Sequence, residues 1–337
     1  MNAFAIRIAA ALLWLPVLAL AQDPSTGSGQ ATSTGSGQAY PGKAIRFVVP
    51  YAPGGASDVT ARLLGQKMTE AWGQTVAVDN RAGANGIVAL EFVAKAPADG
   101  YTILMANLGP NAINPAVYSK LPYDPVKDFT AVTLTTLVPN ILVVNPYLPA
   151  KTLKEIFALA RARPDQLSYG TGGYGSSNHL SMELMKSLTG IRITHVPYKG
   201  DVPAMTDAMA GQIAMSVPTV VAASPYVKSG KLRAIAVTSK SRVRSLPDVP
   251  TVAEAAVPGF ESVSWGGVMA PGGTPVAVVN KLNAEIVRIL KLPDMQERLQ
   301  ALGADVVGST PAEFAAYLDS EIARWSKVAK AANVKLD

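Results

Sequence analysis

From Ile45 onward the chain alternates short apolar runs, glycine-rich loops and stretches of helical periodicity. IRFVVP, residues 45–50, reads as a β run. Residues 57–71 follow with Val59, Leu63, Leu64 and Met68 on one helical side. The pattern then predicts a strand over 75–78, a helix over 87–95 behind the glycine loop RAGANG, and a strand over 101–105. Repeated β-loop-α order implies a parallel sheet with right-handed crossovers. A second α/β unit begins at Asn140. Strands are predicted over 140–144, 167–169, 191–196, 213–217 and 232–238, and helices over 153–163, 181–188 and 202–210. The tail returns to helices. Residues 275–291 place Val278, Leu282, Ile286 and Ile289 on one face, and residues 311–332 do the same with Phe314, Leu318, Ile322 and Trp325. Ser309-Thr310-Pro311 fits a capped start with proline in the first turn. The last helix is expected to close back on the first unit.

The N-terminus has a different grammar. Arg7 precedes an apolar run over 8–20 that ends in Ala19-Leu20-Ala21, the three-part layout of a secretory signal peptide cleaved after Ala21. The run is short for a spanning helix and Pro16 interrupts it. Residues 22–39 hold the unit STGSGQA twice, a Ser/Thr/Gly/Gln tract that cannot bury anything and reads as a flexible spacer.

The 337 residues are 49% hydrophobic and 16% charged, which favours a sizeable core over disorder. There are no cysteines, so disulfides, thiolate catalysis and thiolate metal sites are excluded, as is a lipid anchor on cysteine. The net charge of +6 can steer acidic small molecules. Lys228, Lys231, Arg233, Lys240, Arg242 and Arg244 form an acid-free cluster in sequence. It reads first as a solvated face and second as a docking surface. No basic-aromatic motif accompanies it, so nucleic acid is not an expected partner.

The chemistry lies in four loops, each ahead of a helix: PGGASD (53–58), AGANG (82–86), GTGGYGSSNH (170–179) and VPYKGD (196–201). Glycine lets the backbone aim several N–H groups inward, and a helix N-terminus adds partial positive charge. Two such ends across a cleft form a pincer for an acid with one or two carboxylates. No loop carries the lysine of a Walker motif. Gly170 to Gly175 spells GxGxxG, but His195 stands near where a dinucleotide site needs its acid. Ser176 or Ser177 with His179 could be imagined as a dyad, yet no third group is placed to orient the base, and Ser177 reads better as a helix cap. Asp58, in a first helical turn, reads as an organiser of its loop. No His/Asp/Glu cluster has metal-ligand spacing, and no cofactor is implied.

The segments YPGKAIRFVVPYAPGGASDVTARLL, NRAGANG, DGYTILMAN, YGTGGYGSSNHLSMELMKSLTG, HVPYKG, GKLRAIAVTS and LPDVPTVAEA together resemble the Bug family, the periplasmic receptors of tripartite tricarboxylate transporters. The resemblance runs from about Tyr40 to the C-terminus. It implies an α/β, two-lobe periplasmic binding protein of type II character, each lobe a mainly parallel sheet flanked by helices, with the ligand cleft between. Lobe one would comprise 40–138 plus 262–337 and lobe two 139–261. The implied function is capture of a small organic carboxylate by a monomeric, non-enzymatic receptor that delivers it to membrane permease subunits. The alternative is a ligand-sensing partner of a sensor kinase. Carried over, the first loop supplies Tyr51, Ala52, Pro53, Gly55, Ser57 and Asp58. The second supplies Thr171, Gly175, Ser176, Ser177 and His179. Asn85, Asn107, Pro218, Thr219 and Trp265 would meet the far end of the ligand. Where many relatives read FDN, this chain reads Val217-Pro218-Thr219. The lost acid and the expected wall of Val217, Pro218, Val220 and Val221 point to an organic acid with an apolar body, aliphatic or aromatic, rather than an amino acid.

Overall fold

The computed structural model describes residues 40–331 and 334–336. The expected leader and spacer lie outside the described residues. Among the described residues there are eleven strands: β1 (Ile45–Val49), β2 (Val76–Asn80), β3 (Thr102–Asn107), β4 (Phe129–Pro139), β5 (Ile141–Val144), β6 (Ser168–Thr171), β7 (Thr194–Pro197), β8 (Met215–Ser216), β9 (Arg233–Val237), β10 (Val263–Pro271) and β11 (Asp305–Val306). They form a six-stranded sheet in the order β11-β4-β10-β3-β1-β2 and a five-stranded sheet in the order β7-β6-β8-β5-β9.

Both sheets are mixed. β1 pairs in parallel with β2 and β3, and β6 pairs in parallel with β7 and β8, as the β-loop-α repeats predict. The remaining pairings are antiparallel, because β4, β5, β9 and β10 carry the chain from one sheet to the other and back. β4 and β10 are absent from the sequence-based expectation, as is the helix Val220–Lys228. At the crossing, Thr238 ties the outgoing and returning chain together. Its Oγ1 accepts from the Asn140 amide at 2.9 Å and donates to the Ser262 carbonyl at 2.5 Å.

β1 has both faces covered, which explains its near-continuous apolar run. On one side the helix Ala56–Trp72 packs Leu64 and Met68 with Leu282, Ile286 and Ile289 of the helix Val276–Leu290. Gly73, at φ 65°, ends the first of these in the left-handed conformation. On the other side the C-terminal helix Pro311–Ala331 returns to the first sheet, with Phe314, Leu318 and Trp325 beside Leu104 and Met269. Each such fully buried side chain contributes about 1.5–3 kcal/mol relative to exposure. In the second lobe Ile156, Phe157, Tyr169 and Met215 fill one side of the sheet, and Ile141, Val143, Met205 and Ala208 the other. Among the described residues no helix is long and apolar enough to cross a membrane.

Candidate ligand-binding site

In the first lobe the chain leaves β1 through Tyr51 to Gly55 and enters the helix Ala56–Trp72 with Gly55 at its N-cap and no side chain capping it. The first N–H groups of that helix therefore have no partner within it. Gly54 turns the loop at φ 90° and donates its N–H to Asp58 Oδ2 at 2.9 Å. Arg62 and Asn80 complete the shell of Asp58, at 2.9 Å each on Oδ1. Burial acts to raise the Asp58 pKa, but Arg62, Gly54 and Asn80 outweigh it and hold the carboxyl below its ordinary value. Asp58 organises the loop. Tyr51 donates its hydroxyl to Asn85 Oδ1 at 2.9 Å, and Asn85 Nδ2 donates to Asn114 at 2.8 Å, so Asn85 braces Tyr51 from behind. Asn107, at the end of β3, donates to Ser57 Oγ at 3.3 Å and to the Trp265 carbonyl at 3.1 Å.

In the second lobe β6 runs into Gly172 to Ser176 and the helix Ser177–Thr189. Ser176, rather than Ser177, is the N-cap, and its Oγ accepts from the His179 amide at 3.4 Å. The helix starts four residues before the predicted boundary, because the apolar spacing begins only after the cap. The Ser176 hydroxyl also has the Gly173 carbonyl and Asn178 Oδ1 within reach of its one proton, each at 2.5 Å. His179 Nδ1 accepts the Gly175 N–H at 3.1 Å, and Thr171 Oγ1 shares a 2.6 Å hydrogen bond with His195 Nε2. The two imidazoles stack 4.1 Å apart. Burial pushes His179 down to about 4, with Lys186 adding to it. Burial likewise pushes His195 down to about 3, with His179 adding to it. The ring of His179 is thus a neutral strut under the loop, engaged by a backbone amide and not by either serine.

Between the lobes lies a cleft of about 30 Å³, room for a water or two. Tyr51, Gly55, Ser57 and Asn107 line it from the first lobe, and Ser176, Ser177 and Thr219 from the second. Trp265 borders a smaller chamber that shares Ser57, Asn107 and Thr219 with it. Asp58, Asn85, Thr171, Gly175 and His179 stand behind these residues. Ala52 bonds to the opposite lobe, its N–H donating to the Lys199 carbonyl at 3.1 Å. Pro53 sits on the same loop and Pro218 offers its carbonyl to the Ile141 amide. Neither proline lines the cleft.

The expected apolar wall is not there. Val217, Val220 and Val221 are buried in three different hydrophobic clusters, and none of them lines the cleft. The position is occupied by an acid that sequence reasoning had left out of the site, Asp201. Its Oδ2 accepts from the Thr219 amide at 3.0 Å and the Thr219 hydroxyl at 2.7 Å, and its Oδ1 accepts from Asn178 Nδ2 at 2.9 Å. Burial raises its pKa above the ordinary carboxylate value against these three hydrogen bonds. Asn178, Gly172, Ala56 and Ser264 are further lining residues not foreseen. The cleft wall contains no Lys or Arg. Of the basic cluster, Arg242 pairs with Glu254 and Arg233 holds the Leu148 and Pro146 carbonyls. Lys231, Lys240 and Arg244 are exposed, as a solvated face requires.

Residues 60–334 match the model of the tripartite tricarboxylate transporter family receptor. The chain belongs to this receptor family. The structure of R. palustris Rpa4515 with adipate is 40% identical, covering 88% of this chain and 99% of that one, at a TM-score of 0.86. The periplasmic binding protein BugD is 34% identical, covering 88% and 99%, at 0.84. MatC from Rhodopseudomonas palustris with bound malate is 36% identical, covering 86% and 99%, at 0.82. Membership places the chain among solute-binding receptors and not among enzymes. Ser176 and His179 are both engaged by the loop itself, and their side chains do not bond to each other.

Proposed function

We propose that the protein is a periplasmic receptor that closes on a small organic carboxylate and delivers it to the permease of a tripartite tricarboxylate transporter. The observation that carries this reading is the meeting of two helix N-termini on opposite walls of one cleft without a basic side chain, the one at Ala56 with no side-chain cap and the one at Ser177 capped by Ser176. Backbone N–H groups and helix ends are then the means of holding an anion. Similar proteins with adipate and with malate support the same ligand class. A cleft of about 30 Å³ is too small for such acids, so entry requires the lobes to part and closure follows binding.

Thermal denaturation across a panel of aliphatic and aromatic carboxylates, amino acids and phosphorylated compounds tests the reading. A ligand that binds only the folded state raises the melting temperature by mass action. A selective rise with a carboxylate is expected. A rise with nucleotides alone, or with nothing in the panel, overturns the proposal. Deleting the gene tests delivery: uptake of the acid should be lost.

A further inference from the structure

The two loops are each organised by an acid, and the two acids are not equivalent. Asp58 faces Arg62, which neutralises it at 2.9 Å. Asp201 has no ion-pair partner among the described residues, and the nearby Lys199 side chain is exposed. Its three hydrogen bonds come from neutral groups, the Thr219 amide, the Thr219 hydroxyl and Asn178. Asp201 is partly buried, and a charge compensated there only by neutral donors carries a desolvation cost that a donor or a cation relieves.

A carboxylate offers about four acceptor sites, two on each oxygen. Oδ2 of Asp201 has both filled by Thr219, whereas Oδ1 has one filled by Asn178. The direction of that amide is settled by its other end, where Asn178 Oδ1 accepts from the Gly172 and His179 amides and from Ser176. Asn178 therefore cannot turn to offer anything else. The acid also stands in the path of a ligand. A Cβ placed on Gly55 of the first lobe would lie 4.0 Å from Asp201 Oδ2, and one placed on Gly172 would lie 3.5 Å from Oδ1.

We propose that Asp201 is the specificity residue of the cleft, and that the ligand is a carboxylate bearing a hydrogen-bond donor, hydroxyl or ammonium, set against the free acceptor site of Asp201 Oδ1. This rests on the carboxylate-receptor reading and narrows it. The carboxylate is held at the helix N-termini, and the donor is read by Asp201. A second ionised carboxylate at the same place meets a like charge with no cation to separate the two, so an unsubstituted diacid that reaches Asp201 is disfavoured. This replaces the apolar-ligand expectation drawn from Val217-Pro218-Thr219, because the acid missing there is supplied by the first residue of the helix Asp201–Met209.

Isothermal titration of the purified protein with two matched series tests it: succinate, malate and aspartate, then adipate, 2-hydroxyadipate and 2-aminoadipate. Any further acid found to bind is compared with its hydroxy and amino derivatives. A hydrogen bond to a charged group corresponds to roughly tenfold or more in affinity. In the series that binds, one substituted member should therefore exceed the parent diacid by at least about tenfold. Which member does so separates hydroxyl from ammonium. In Asp201→Asn the ammonium advantage should vanish with the charge, and in Asp201→Ala either advantage should fall to near unity. Parent acids that bind as tightly as both derivatives in the unaltered protein overturn the role of Asp201 and leave the receptor reading standing. That comparison needs no variant to fold. An advantage that survives Asp201→Ala in a folded variant overturns it equally. Failure of every carboxylate to bind or to shift melting overturns the receptor reading, and this inference with it.

Discussion

The Ala52 amide donates to the Lys199 carbonyl across the cleft at 3.1 Å, backbone to backbone. The contact exists because Gly200 has no side chain. A Cβ there would lie 3.1 Å from Ala52 Cβ and 3.2 Å from its nitrogen, and the residue sits at φ 154°. The two loops thus latch through peptide groups at the rim while the ligand chemistry lies beneath.

Gly200→Val should hold the lobes apart. Carboxylate affinity is expected to fall at least about tenfold, on the order of the 1.4 kcal/mol carried by one lost backbone hydrogen bond. Small-angle scattering with saturating ligand should report a larger radius of gyration than for the unaltered protein. Unchanged affinity would show that the latch plays no part in closure.

Ser176→Ala removes the cap of the second-lobe helix together with the bonds to Gly173 and Asn178. Loss of a serine N-cap costs about 1 kcal/mol. Urea denaturation should show that loss, and titration should show weaker carboxylate binding, since the same loop lines the cleft.

The stacked histidines predict a pH profile. Both are held neutral in the fold, His179 at about 4 and His195 at about 3, whereas unfolded histidine takes its proton near 6.5. The unfolded chain therefore binds more protons over this interval, and stability is full above about 6.5 and declines as pH falls toward those values. The slope approaches ~1.4 kcal/mol per pH unit for each histidine. Glu183, Lys186, Tyr169 and Tyr174 surround the pair. Urea midpoints at pH 7, 6 and 5 should fall in order, and a His179→Gln, His195→Gln double variant should give a flatter profile.

Asp58 adds a second, lower step to the same acid limb. Its pKa lies below the ordinary carboxylate value, so its contribution is present above about 4 and disappears as pH drops through the folded value. Asp58→Asn should lower stability at pH 7 and lose less of what remains on acidification than the unaltered protein does. Melting temperatures at pH 7 and pH 3.5 measure this.

The β-loop-α units were legible because each is local: an apolar run, a glycine turn, then helical spacing within a few residues. β4 and β10 were not, although the β-branched FTAVTLTTLVP of β4 carries a strand signal of its own. Their identity as antiparallel neighbours depends on a pairing that no local window contains. The glycine loops and most cleft residues could be read from position, since loops at the ends of parallel strands face one way. Asp201 could not. In PYKGD it has the ordinary look of a first-turn acid, and only its bonds to Thr219 and Asn178 bring it into the cleft. The valines after Ser216 misled for the converse reason. Sequence shows that they are apolar but not which way they point.

Asn107 and Trp265 are joined by a hydrogen bond although 158 positions separate them. β10 lies between β3 and β4 in the first sheet, yet it emerges only after every strand of the second. A chain made from its N-terminus can complete the later sheet before the earlier one. Pairings between such distant segments also form slowly. β1 finds β2 and β3 at once, but β3 and β4 must wait for β10 to fill the place between them, so the first sheet closes only when the chain is nearly complete.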